Sequence, residues 1–396
     1  MLSSISADSL FVNAYQQQQA LESLSNNALN AGMDLYGNED YEAAARAFQR
    51  AIDLAPQSDY AADACNYLSM SHLKLGEEDK AIEAYVRWIQ LNPDDAAPHV
   101  KLGKLYFDQE RYTEAEGEFS EAVRIDPTNA ENAYSLGQAY LFLERFTDAE
   151  AQFRKVQQLQ PKDPAGYYGL GLAASKEGRY ERAIKLFDQA IALDHDFYDA
   201  YAEKGYVYAD MGNMDAANKL FELLEKEDED LADTLSRYIY KVDPPKIAFA
   251  SALTSTFSYN KSRMTQVSDL DSYLENANAS ASFTMVFQFD KQMDRLSIED
   301  RFNWMISRTL ADGSGTAYNF GLTPPDTEVS ITSFPDYVYY DEDALTATVH
   351  FTIDQNDSAD GTMDPSHIEF KFMGEDEWGL SMDKDADQFT GFSGVF

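Results

Sequence analysis

The residue types best suited to chemistry are few and scattered. The 396-residue chain holds five histidines and one cysteine. No His-Glu-x-x-His run, no Cys–His cluster and no paired-histidine spacing occurs, so no transition-metal site is expected. Cys65 stands in an apolar helical pattern, where burial as a small apolar group is expected rather than reactivity. A single cysteine also excludes a disulfide framework within the chain. There is no Gly-x-Ser-x-Gly elbow and no phosphate loop ending in Gly-Lys-Ser/Thr. Asn356, Ser358, Asp360 and Gly361 look like the start of a calcium loop, but the twelfth position is His367, where a bidentate carboxylate is needed. Asp383, Asp385 and Asp387 make a second, equally incomplete acidic ladder. Solvated turns are the expectation for both. Gly169-Leu-Gly171-Leu-Ala-Ala174 matches Gly-x-Gly-x-x-Ala, yet it lies inside a helical pattern with no strand before it and cannot cradle a pyrophosphate. The chain is therefore read as a protein without catalytic residues, metal or cofactor, and not as an enzyme.

Charge narrows the partners. Sixty-nine Asp and Glu against 31 Lys and Arg give a formal charge of −38. Phosphate recognition needs basic residues in excess, so a nucleic-acid or anionic-membrane binder is not expected. No run of 18 apolar residues occurs, so no transmembrane segment is expected. The first basic residue is Arg46, which argues against a standard secretory signal. The expected location is the cytoplasm, with export by another route as the alternative.

The elements that position side chains are written as a repeat. Leu102-Gly103, Tyr106, Ala115, Phe119, Ala122 and Pro127 recur as Leu136-Gly137, Tyr140, Ala149, Phe153, Val156 and Pro161, a period of 137 − 103 = 34 residues. Gly32, Gly103, Gly137, Gly171 and Gly205 are small where two helices must approach. Ala44, Ala81, Ala115, Ala149, Ala183 and Ala217 do the same on the second helix. Phe48, Tyr85, Phe119, Phe153, Phe187 and Phe221 fill the space between. Pro56, Pro93, Pro127 and Pro161 stop the second helix. The pattern over about 25–229 resembles the tetratricopeptide repeat (TPR) family, whose paired helices stack because no single pair buries its own apolar face. The resemblance implies an all-α superhelix of six repeats. Leu231 to Val242 reads as a capping helix, which makes the solenoid 25–242. Residues 1–24 form a polar leader in which a helix from about Leu10 to Leu24 is expected, docking on the first repeat or in the groove of a neighbouring copy.

The same resemblance implies a peptide-binding groove lined by first-helix positions. Read onto this sequence these are Asn66, Met70, Leu73 and Lys74; Val100, Lys104 and Phe107; Tyr134, Gln138, Leu141 and Phe142; Tyr168 and Leu172; and Tyr206. The surface is apolar and aromatic with two lysines at one end, which suits a peptide or helix of a protein partner. Tyr134 and Tyr168 are expected to point away from the inter-repeat core. The carboxylate clamp of some relatives needs a basic residue where Leu29 stands, so that ligand class is not expected.

Asp243-Pro244-Pro245 marks a boundary, after which the apolar period changes from 3.6 to 2. Phe283 to Phe289, Leu345 to Ile353 and Ile368 to Phe372 alternate as half-buried strands, and Val267 to Ala277 reads as a short inserted helix. Phe289-Asp-Lys-Gln-Met-Asp294, Phe302-Asn-Trp304 and Asp364-Pro-Ser-His-Ile368 resemble bacterial immunoglobulin-like modules of surface-layer type over about 245–385. That resemblance implies a β-sandwich for residues 243–396, used for spacing, adhesion or self-association. The fold class is thus α+β multidomain: a helical-repeat superhelix with a capping helix, then an immunoglobulin-like β-sandwich. The expected function is a non-catalytic protein-interaction scaffold or adaptor. The alternative is a structural component of an exported cell-surface or flagellar-type assembly, to which the aromatic stretch Phe389 to Phe396 would belong.

Overall fold

In the computed structural model, residues 7–308 and 325–391 are described. Expectations resting on the side chains of Leu10 and Phe11, on Pro324 and on Phe392 to Phe396 lie outside the described residues. The chain divides into two units, Met1–Ser236 and Arg237–Phe396.

The first unit is a stack of helix pairs. They are α1 (Ala7–Gly37) with α2 (Tyr41–Leu54), α3 (Asp59–Lys74) with α4 (Glu78–Leu91), and α5 (Ala96–Asp108) with α6 (Tyr112–Ile125). The series continues with α7 (Ala130–Phe142) and α8 (Phe146–Leu159), α9 (Ala165–Lys176) and α10 (Tyr180–Leu193), and α11 (Tyr198–Asp210) and α12 (Met214–Glu227). Helix α13 (Glu229–Val242) follows. Side-chain caps set several starts. Asp40 accepts from the Ala43 N–H at 3.1 Å, Asp95 from Ala97 at 2.9 Å and Asn129 from Glu131 at 2.9 Å, each satisfying a helix donor that would otherwise be orphaned.

The turn inside each pair needs one left-handed residue, and it recurs with the repeat: Glu39, Gly76, Glu110, Glu144, Gly178 and Gly212 all have positive φ. The glycines on the first helices are there for contact. A Cβ added at Gly32, Gly103, Gly137 or Gly171 would come within 2.7 Å of the ring of Phe48, Phe119, Phe153 or Phe187 respectively. Those four rings are essentially fully buried, and each contributes about 1.5–3 kcal/mol of apolar burial. Gly169, part of the dinucleotide-like string, also abuts Phe153, so its small size serves packing. The sixth repeat departs from the pattern. Phe221 is only half-buried, and Gly205 instead faces Leu235 of α13. The last repeat is thus closed by α13 rather than by its own aromatic.

The leader is not a separate element. Helix α1 runs without a break from Ala7 through the first repeat. Tyr15, Leu21 and Leu24 on its early turns are exposed, whereas Leu29 further along is buried.

The second unit is antiparallel β. Its strands are β1 (Ile247–Ala250), β2 (Thr265–Gln266), β3 (Ser280–Phe289), β4 (Trp304–Arg308), β5 (Tyr337–Asp341), β6 (Thr346–Asp354), β7 (Thr362–Met363), β8 (Ile368–Phe372) and β9 (Gln388–Thr390). One sheet has the order β1-β3-β6-β5 and the other β4-β8-β9, with β2 and β7 paired apart. Leaving out that short pair and lettering the rest A to G gives ABED on one sheet and CFG on the other, the strand order of a constant-type immunoglobulin domain. Inward residues of the two sheets meet ring on ring: Phe287 with Trp304 at 5.4 Å, Phe351 with Phe370 at 5.4 Å and Phe289 with Phe372 at 5.7 Å. Trp304 on strand C is fully buried, and its indole N–H donates to the Ile298 carbonyl at 2.8 Å. Two local expectations are corrected. Leu345 has φ 54°, outside the β region, so it belongs to the hairpin turn and β6 begins at Thr346. The stretch after Val267 is two short 3₁₀ turns, Val267–Asp269 and Ser272–Glu275, separated by Leu270 and Asp271.

Candidate functional site

The predicted groove residues all stand on the first helices of their pairs: α3, α5, α7, α9 and α11. None is buried in the core. Asn66, Met70, Val100, Phe107, Tyr134, Gln138, Leu141, Tyr168, Leu172 and Tyr206 are half-buried, and Leu73, Lys74, Lys104 and Phe142 are exposed. Positions four apart on each helix, such as Asn66, Met70 and Lys74, share one face.

Between α5 and α7 lies a cleft of about 580 Å³. Val100 and Lys104 line it together with Lys101, Asp94, Asp95, Asp126, Asn129 and Glu131. The Lys104 ammonium lies 2.8 Å from a Glu131 carboxylate oxygen, so this lysine does not present an unopposed positive charge. At the far end of the same two helices Phe107, Tyr112 and Phe142 form an aromatic trio, with ring centroids 4.7–5.3 Å apart. Tyr112, the first residue of α6, was not among the expected positions; nothing in the first-helix pattern marks it.

Tyr134 and Tyr168 do not point clear of the core. The Tyr134 ring packs on Phe153 at 5.5 Å, and Tyr168 packs on Phe187 at 5.9 Å and Phe197 at 4.9 Å. An aromatic ring next to a buried phenylalanine gains apolar contact by leaning inward, so each tyrosine packs on the core while staying half-exposed. Burial foremost, with help from Asp199, Asp163 and Glu203, pushes the Tyr134 phenol up to about 12. Burial foremost, then Glu203, Tyr134, Asp199 and Tyr206, raises Tyr168 well above the usual phenol range.

These couplings bring together α7, α9 and α11. On α11, Asp199, Glu203, Tyr206 and Asp210 follow the i, i+4, i+7, i+11 spacing of one helix face. Glu203 is half-buried. Burial pushes its carboxyl up to about 7, Lys176 opposes the rise, and Asp199 and Asp210 add to it. Of this helix the repeat pattern marks only Tyr206 for the groove. The spacing of the three acids around it was the available signal.

The other candidate residues are placed as follows. Cys65 is buried, and burial pushes its thiol up to about 11 against the smaller pull of Arg87. His72, His99 and His367 each have Nδ1 within 2.8 Å of a single carboxylate: Glu77, Glu118 and Asp364. His350 stacks on Tyr337 at 4.0 Å. Asn356 and Asp360 of the calcium-like turn bond to each other at 2.9 Å. Among the described residues no group of three potential ligands is gathered, and no helix is long and apolar enough to cross a membrane.

Comparison with known proteins follows the repeats. A tetratricopeptide repeat model matches residues 29–96, 69–130, 100–167 and 134–194, and a second tetratricopeptide repeat model matches 174–236. The matches run unbroken from 29 to 236, more than half of the 396 residues. No curated protein matches the chain. Among solved structures, a tetratricopeptide repeat protein from Parabacteroides merdae ATCC 43184 is similar at 17% identity, covering 55% of this chain and 86% of that one with a TM-score of 0.50. MamA is similar at 28% identity over 42% of this chain and 97% of its own, with a TM-score of 0.37. YrrB, described as a TPR protein with an unusual peptide-binding site, is similar at 23% identity over 49% and 99%, with a TM-score of 0.38.

Proposed function

We propose that this chain, which belongs to the tetratricopeptide repeat family, is a scaffold that holds a peptide or helix of a protein partner in the groove of its first helices. The family as a whole serves protein–protein interaction. The observation that supports groove binding here is a row of half-exposed apolar and aromatic side chains continuing from Met70 on α3 to Tyr206 on α11. Singly exposed apolar groups need no explanation, but a row that crosses five helices suits an extended or helical guest. The β-sandwich unit, in this reading, sets spacing or self-association, and the protein works in the cytoplasm without catalysis.

The test is a pull-down with the full chain against a variant carrying Val100→Arg and Gln138→Arg. Both positions are half-buried on the groove side, so the new guanidinium groups reach solvent while obstructing the groove. The same bound chains should be recovered by the wild type and lost by the variant. Equal recovery by both would remove the groove from the reading. Cell fractionation checks the location.

A further inference from the structure

The groove changes character along its length. In its first half Lys104 is matched by Glu131. Around α11 the balance is different: Asp199 and Glu203 lie along one face, and Lys176 of α9 is the cation that acts on Glu203. Among the described residues Glu203 has no salt bridge within 4 Å. Glu150, a more deeply buried acid on the second helix α8, is met by Arg182 at 2.8 Å and Arg154 at 3.1 Å, and by Arg179.

Two features set this stretch apart from the solvated acidic surface of the rest of the chain. First, Glu203 is half-buried on a first helix rather than fully exposed. Secondly, its charge reaches two tyrosines, Tyr134 and Tyr168, and helps to raise their phenols; their rings are held in place by Phe153, Phe187 and Phe197. A desolvated carboxylate is short of a counter-charge, and a fixed ring face attracts a cation through its quadrupole. One kind of guest meets both needs: an ammonium or guanidinium on an apolar stem, as in lysine or arginine. An acidic guest would place like charges together in a partly desolvated site, which is strongly unfavourable.

We propose that the groove segment formed by α7, α9 and α11 takes a basic stretch of the partner, its lysine or arginine head groups resting on Tyr134 and Tyr168 and against the carboxylates of Asp199 and Glu203. This inference rests on the groove reading above and names the chemistry of its occupant. The net charge of −38 supports it at long range, because it draws a basic segment toward the protein before contact.

The experiment uses the full chain and three fluorescein-labelled alanine-based peptides of equal length, carrying four lysines and arginines, four glutamates, or only neutral residues. Binding is read by anisotropy at low and moderate salt. The basic peptide should bind most tightly and weaken several-fold as salt rises. Asp199→Asn with Glu203→Gln should weaken it at least about fivefold, the loss of one or two desolvated charge contacts. A control variant, Asp79→Asn with Glu222→Gln, removes the same two charges on α4 and α12 and should change affinity by less than twofold. Equal losses in the two variants would mean that the basic peptide only senses overall charge, and the inference falls. No preference for the basic peptide also overturns it. If the neutral or acidic peptide binds instead and Gln138→Arg abolishes that binding, the groove reading stands while this inference fails. Circular dichroism of each variant confirms that the fold is kept.

Discussion

Gly103 on α5 lies so close to Phe119 on α6 that an added Cβ would come 2.6 Å from the ring edge. The ring is 2% exposed and has nowhere to go. Gly103→Ala therefore forces the two helices apart or the ring off its rotamer, a cost of about 1–3 kcal/mol. This outweighs the roughly 0.8–1 kcal/mol gained from replacing glycine in a helix. Gly117 on α6 has no heavy atom within 4 Å of the same hypothetical Cβ. Gly117→Ala should keep the propensity gain and stabilise by about 0.5–1 kcal/mol. Urea denaturation followed by circular dichroism separates the two; a Gly103→Ala protein as stable as wild type would show that the pairing is loose.

Glu150 joins two repeats. It is 8% exposed and accepts from Arg182 and Arg154, and from Arg179. Burial alone would raise its carboxyl, but the hydrogen bonds from Arg182, Arg179 and Arg154 prevail and hold it at about 2. A carboxylate depressed below its unfolded value stabilises the native state above about pH 4.5, and that contribution disappears as pH falls toward 2. Glu150→Gln should lower stability at pH 7 by about 1–3 kcal/mol, since the three arginines remain partly hydrated. It should also flatten the loss of stability between pH 4.5 and 2. An unchanged acid limb in the variant would assign that limb to other carboxylates.

In the β unit, Lys291 Nζ lies 2.7 Å from Asp376 Oδ2, with side chains 3% and 0% exposed. The ammonium also donates to the Asp243 carbonyl at 2.7 Å and lies about 5 Å from the rings of Tyr240 and Trp378. Asp376 Oδ1 accepts from the Trp378 and Leu380 N–H groups. Removing one partner leaves a buried charge unmatched, so Lys291→Met should cost about 3–5 kcal/mol. The double variant Lys291→Met with Asp376→Leu should cost less than either single one if the Coulombic match dominates. Chemical denaturation of the β-rich signal reads this double-mutant cycle. Additive losses would mean that the two groups act independently.

How much of this could be read in the sequence depended on how local the cause was. The repeats were legible because Gly103, Phe119 and their copies answer one steric demand every 34 residues. That the expected groove residues stand on first helices followed from the same register. What did not follow was which way a half-apolar side chain leans. Tyr134 and Tyr168 were expected to turn outward, yet a buried phenylalanine beside each ring draws it inward. Strands β3, β6 and β8 showed their alternation, whereas β1, β5 and β9 are edge strands of three to five residues, too short for a period of two to stand out. The buried pair of Lys291 and Asp376 joins residues far apart in the chain, and no spacing announces such a pair.

Glu203 offers the sharpest link between groove and pH. Burial, aided by Asp199 and Asp210 and opposed by Lys176, pushes its carboxyl from 4.5 up to about 7. Between those values the native state binds more protons than the unfolded chain, so stability falls as pH rises. The contribution is fully present below about pH 4.5 and is lost as pH passes 7. Tyr134 and Tyr168, whose phenols this carboxylate helps to raise, stay protonated throughout. The quantity to read is therefore the difference between wild type and Glu203→Gln in urea midpoints from pH 4.5 to 8. The variant should lose less stability over that interval than the wild type does. With the basic peptide bound, an adjacent cation favours the charged carboxylate, so affinity should rise between pH 6 and 8 and do so less in Glu203→Gln. Parallel stability curves for the two proteins would show that Glu203 is hydrated like an ordinary surface acid, and the charge argument for the groove would lose its centre.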